Sequence, residues 1–155
     1  MNDANQETRA SGGLRRRMGG VDPAAIARAE AALKSLSGNF AAWLAEEIAK
    51  LKAARARFDS DGRSEATCES LYLRAHDLKG LGATYEYPLV TRIAGSLCNL
   101  IGNPQARAVA PLSLIDAHIE AIETAVAARI QSDQAPAGAA MAHDLEIRVE
   151  ASRRP

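Results

Sequence analysis

The sequence predicts an all-α protein, and three observations carry that prediction. Thirty-three of its 155 residues are alanine, the strongest helix former. Aromatic residues make up only 4%, whereas sheets draw on aromatic and β-branched side chains. Apolar residues recur at three- and four-residue intervals, in blocks punctuated by Pro, Gly and Asn. The expected architecture is an antiparallel four-helix bundle with an extra N-terminal capping helix and a weaker C-terminal helix. The length suits one domain, and 47% hydrophobic residues supply its core.

Residues 1–20 are polar, glycine-containing and aperiodic, which predicts a disordered arm. The bundle is expected over 21–133, with its four main helices between about 40 and 131. Asp22-Pro23 gives a start, with Asp as N-cap and Pro at the first helical position. Ile26, Leu33 and Leu36 share a face, and Ser37-Gly38-Asn39 is expected to end this short capping helix. The next helix runs from Phe40 to Phe58 through Leu44, Ile48 and Leu51, with Glu46, Glu47, Lys50 and Arg57 outside. Asp59 to Gly62 breaks it. A third helix starts near Ser64 and reaches about Ala83, with Leu71, Ala75, Leu78 and Gly82 inward.

Tyr87-Pro88 opens the fourth, because the residue before proline resists the α conformation. Val90, Ile93, Leu97, Leu100 and Ile101 form its stripe, and Gly102-Asn103-Pro104 stops it. A loop follows. Pro111 then opens a helix bearing Ile115, Ile119, Ile122, Val126 and Ile130. Residues 134–155 are expected to form a linker, Gln134 to Gly138, and a weak helix with Met141, Leu145 and Val149. This last helix is expected to pack on the outside of the bundle or to fray.

Charge and cysteine content exclude several function classes. Lys plus Arg number 19 and Asp plus Glu number 19, so the cation excess that holds nucleic acid is missing. The Arg15-Arg16-Arg17 run is expected to be a solvated tail. Cys68 and Cys98 have no CxxC partner and form neither a zinc framework nor a disulfide scaffold. They are expected to be reduced, buried thiols of a cytoplasmic protein. No stretch approaches the roughly 18 apolar residues of a membrane span, and no apolar segment makes the N-terminus a signal peptide. No metal site, resident cofactor, nucleic-acid partner or membrane partner is expected.

The three histidines are His76, His118 and His143. No phosphate loop, strained nucleophile turn or HExxH pattern accompanies them. His118 is expected at the flank of its helix, at the core boundary, and Trp43 as core or boundary filler. His76 stands apart. On a helical wheel it points roughly 130° from the core direction of its helix, toward solvent. Lys79 lies at i+3, within side-chain reach. Gly80 and Ala83 continue the strip in one direction, and Leu73 and Glu69 in the other. Mid-helix glycine costs about 0.8–1 kcal/mol against alanine, and packing on an exposed face does not require it. Clearance for a close partner would. A neutral imidazole is a nucleophile near pH 7, and an adjacent ammonium would neutralise a phosphoryl group on it.

His76-Asp77-Leu78-Lys79-Gly80, followed by Leu81-Gly82-Ala83-Thr84, resembles the signature of histidine-containing phosphotransfer (HPt) domains. The resemblance covers about residues 40–130, and its sharp motif 76–84. It implies a four-helix bundle that carries phosphoryl groups between receiver-domain aspartates of a two-component phosphorelay. His76 would be the phospho-acceptor, Lys79 the phosphate-stabilising cation and Gly80 the clearance residue, with Glu69, Leu73 and Ala83 on the docking face. The partners implied are a response-regulator receiver domain and a hybrid histidine kinase. The carrier would need no cofactor, since Mg²⁺ sits on the receiver, and it would not itself be a kinase.

Two positions depart from the family pattern. Members commonly have a glycine ten residues after the histidine, where this chain has Glu86, and Leu81 replaces a frequent small residue. The rival readings are a pseudo-HPt adaptor that docks a receiver or kinase without carrying phosphate, the phosphorylatable part of a larger chemotaxis-type kinase, and a helical scaffold. The sequence Ala142-His143-Asp144-Leu145 echoes Ala75-His76-Asp77-Leu78. Glu146 at its i+3 position would repel phosphate, so the echo serves as an internal control.

Overall fold

In the computed structural model, Gly20 and residues 22–155 are described. The arm expected over 1–20, with its Arg15-Arg16-Arg17 run, otherwise lies outside the described residues. The described residues form six helices: α1 Pro23–Ser60, α2 Glu65–Gly82, α3 Pro88–Ile101, α4 Pro104–Val109, α5 Leu112–Ala127 and α6 Pro136–Ser152. Among the described residues there is no strand, and the fold is an all-α bundle. The chain divides at Gly38 into two units, and the second, Asn39–Pro155, holds the buried core.

Asp22 caps α1 as expected, its Oδ1 accepting the Ala24 N–H at 3.2 Å. The expected stop at Ser37-Gly38-Asn39 does not occur. The extra N-terminal helix is continuous with the first bundle helix, as a single 38-residue α1. One glycine costs about 1 kcal/mol, too little to break a helix with alanine-rich flanks on both sides. At its other end α1 closes with Gly62 in the left-handed region, φ 64°. There the Arg63 N–H reaches back to the Phe58 carbonyl at 3.0 Å, a glycine-closed helix end. Ser64 starts α2, its Oγ accepting the Thr67 N–H at 3.3 Å.

The helices alternate in direction. Trp43 of α1 meets Tyr85 beyond the end of α2, their rings 5.4 Å apart, so α1 and α2 run antiparallel. Gly82 of α2 meets the start of α3: a Cβ there would lie 2.6 Å from the Thr91 backbone nitrogen. Here glycine serves close approach. Ion pairs Lys52–Glu123 and Arg55–Asp116, both 2.7 Å, set α5 antiparallel to α1.

The segment after α3 was expected to be a loop, but it contains α4. Asn103 Oδ1 accepts the Ala106 N–H at 2.7 Å, with Pro104 at the first helical position. The same three residues that stop α3 therefore start α4.

The C-terminal helix also departs from expectation. It begins at Pro136, inside the expected linker, and packs on α3 and α5. Ala142, Leu145 and Val149 are buried. Arg92 of α3 binds both carboxylate oxygens of Glu146 at 2.7 and 3.0 Å and also donates to the Asp133 carbonyl. Arg153 donates to the Asn99 carbonyl. These pairings run α6 parallel to α3. Covered by α2, α5 and α6, α3 is buried nearly all round rather than along one stripe.

That covering explains His118. Expected at the boundary, it is fully buried. Its Nδ1–H donates to the Leu114 carbonyl at 2.7 Å, and its Nε2 accepts the Ser96 hydroxyl at 3.0 Å. Burial lowers its pKa from the ordinary value; the Leu114 bond opposes this and nearby Arg148 adds to it. Trp43, expected as core or boundary filler, is 41% exposed. Cys68 and Cys98 are buried free thiols.

Candidate functional site

The turn of α2 sends Leu71, Ala75 and Leu78 into the core, each fully buried. The 100° step between residues then sends His76 outward, and His76, Lys79 and Gly80 are all exposed. The strip expected to flank them is also in place. Glu69 and Ala83 are exposed, and Leu73 is 50% exposed. A Cβ added at Gly80 would meet no atom within 4 Å, so nothing in this fold demands glycine there. The space beside His76 is open.

The side chains around His76 are arranged on two sides. Lys79 leans toward α3, its Cδ and Cε lying 3.9 Å from where a Gly95 Cβ would stand. Its charge is felt at Cys98, where burial raises the thiol pKa and Lys79 opposes the rise. On the other side His76 borders an open groove of about 520 Å³ between α1 and α2. Gly80 and Leu81 continue its α2 wall, and Glu47 and Lys50 form its α1 wall. Arg74 and Asp77 also reach it, 3.7 Å apart as an i,i+3 pair. The Tyr72 ring lies 6.0 Å from the imidazole, tilted by 39°.

Wheel geometry brought His76, Lys79 and Gly80 together, and the structure places them together. The α1 wall was missed, because no periodicity within one helix reports which residues of another stand opposite. His143 is exposed on α6. Its neighbour Glu146 is engaged by Arg92, which holds the carboxyl pKa below its ordinary value. Glu86 lies beyond α2 with φ 67°, in the left-handed region that favours glycine.

Among the described residues no group of three or more His, Cys, Asp or Glu side chains could hold a metal ion. No helix there is long and apolar enough to cross a membrane. The chain matches no protein-family model, no curated protein and no solved structure.

Proposed function

We propose that this chain is a phosphoryl carrier of a two-component phosphorelay, accepting and donating a phosphoryl group on His76. The observation that carries the proposal is an exposed histidine on a bundle helix, with a lysine at i+3 and a glycine at i+4 facing open space. An unprotonated imidazole nitrogen of His76 attacks the phosphorus of a receiver phospho-aspartate. The P–N bond forms, the P–O bond to the carboxylate breaks, and the ring's N–H proton passes to water. The return step onto another receiver's aspartate reverses this. Lys79 balances the phosphoryl charge without bonding to it covalently. Mg²⁺ belongs to the receiver. The partners are a response-regulator receiver and a hybrid histidine kinase, and the setting is the cytoplasm. The chain is a transfer intermediate rather than a kinase.

The test is incubation with phosphorylated receiver domains, followed for acid-labile, base-stable label. His76→Gln should lose all label while unfolding within about 0.5 kcal/mol of wild type, as exposed substitutions do. A charge-assisted hydrogen bond is worth about 1.5–3 kcal/mol, so Lys79→Ala should transfer about ten- to a hundredfold more slowly. Gly80→Ala should fold at least as well as wild type, and Gly80→Gln should fold but transfer slowly. Label that survives His76→Gln, or is lost in His143→Gln, assigns the wrong histidine. Receivers that bind without transferring label make the chain an adaptor.

A further inference from the structure

We propose that Lys50, on α1, is a second phosphate-positioning cation for His76, reaching it across the groove between α1 and α2. The inference rests on His76 being a phosphoryl acceptor. The Lys79 stem lies against Gly95 of α3, and Lys79 does not line the groove that His76 borders. A phosphoryl group on the groove side of the imidazole therefore meets a different set of charges.

The helix register brings Lys50 level with the site. α1 and α2 run antiparallel from the contact of Trp43 with Tyr85. From Trp43 to Lys50 α1 climbs about 10 Å, and from Tyr85 back to His76 the chain descends about 14 Å. Lys50 and His76 then face one groove from its two walls. The Lys50 ammonium rests on Glu47 at 2.7 Å, with half of its side chain exposed. Arg74 is held by Asp77, three residues along α2.

The groove thus carries two cations and two carboxylates. A phosphoryl dianion breaks that balance. Lys50, a compact ammonium on a flexible four-carbon stem, exchanges Glu47 for the stronger charge. Arg74 precedes His76 by two residues, and the helix turns its root about 200° away.

The experiment needs no protein partner. Phosphoramidate transfers its phosphoryl group to an imidazole nitrogen and releases ammonia. The ³¹P resonance of phospho-His76 is identified by its loss in His76→Gln, and its pH titration reports the charge around the phosphoryl group directly. Removing one unit charge several ångströms away should raise the titration midpoint by about 0.3–0.5 unit in Lys50→Ala. Lys50→Arg should stay near wild type, and Arg74→Ala should move the midpoint less than Lys50→Ala. A Lys50→Ala midpoint equal to wild type overturns the proposal, as does a larger shift in Arg74→Ala. If the Lys50 shift appears but receivers never transfer phosphate, the cation's placement stands and the relay assignment falls. No ³¹P signal at His76 overturns both.

Discussion

Glu86 occupies a turn that suits another residue. Its N–H reaches the Ala83 carbonyl at 3.2 Å, and the next N–H, of Tyr87, reaches Gly82 at 2.8 Å. This is a Schellman closure with Glu86 in the left-handed position. A side chain there costs about 1–2 kcal/mol, partly offset because glycine gains freedom in the unfolded chain. Glu86→Gly should therefore raise stability by about 0.5–1 kcal/mol, seen as a higher urea midpoint at unchanged slope. A lower midpoint would mean that the Glu86 side chain does more than occupy the turn. The resemblance expects glycine at this position, and the backbone supplies a conformational reason for it. Arg129 closes α5 in the same way, with φ 55° and the Ile130 N–H on the Ala125 carbonyl. At this scale the candidate site was legible: the outward angle of His76 follows from 100° per residue, and its neighbours at i+3 and i+4 follow with it. The depth of His118 was not legible, because it depends on which helix covers the other side.

Elements whose ends carry explicit chemistry were read correctly. Ser64, Tyr87-Pro88 and Pro111 begin helices within a residue or two of expectation. The misread junctions are those where one signal has two meanings. Ser37-Gly38-Asn39 is a stop only if the flanking helices need one, and Gly102-Asn103-Pro104 is both a stop and a start. α6 was legible as a helix, but neither its start at Pro136 nor the burial of its short apolar stripe was. Tertiary cover decides this: Ala142, Leu145 and Val149 close the side of α3 that α2 and α5 leave open. A chain ending at Asp133 loses the burial of Leu145 and Val149, each worth about 1.5–3 kcal/mol. It should unfold about 3–5 kcal/mol more easily in urea while keeping most of its helical circular dichroism. A truncated chain as stable as the full one would return α6 to an external role. Arg92→Ala should reproduce a smaller part of the loss, about 1–2 kcal/mol, since its pair with Glu146 is partly exposed.

Across the whole molecule, acid is the condition to which this bundle should be most sensitive. His118 has a lowered pKa in the folded state. The unfolded chain therefore binds more protons, and stability rises with pH through the interval between the two pKa values. The His118 contribution is complete above about pH 6.5 and is lost as pH falls from there toward the folded pKa. The Glu146 carboxyl is also lowered, but its contribution is present above about pH 4.5 and lost only below it. Urea midpoints should thus already decline between pH 7.5 and 5.5. In His118→Gln, which cannot titrate, that decline should flatten although the variant starts less stable. An equal slope in both proteins would move the proton uptake to another group.

The aromatic contact at the end of α2 has an optical consequence. Trp43 is the only tryptophan in the chain. It sits half in water, with the Phe40 ring 5.8 Å away and the Tyr85 ring 5.4 Å away. Native tryptophan emission therefore has a single source, fixed where α1 meets the segment after Thr84 and along the same helix as Lys50. A partner that settles over the His76 strip and reaches this corner would exclude water from the indole and shift its emission to the blue. The molecule carries its own dye, and complex formation can be followed by light without attaching a label to either protein.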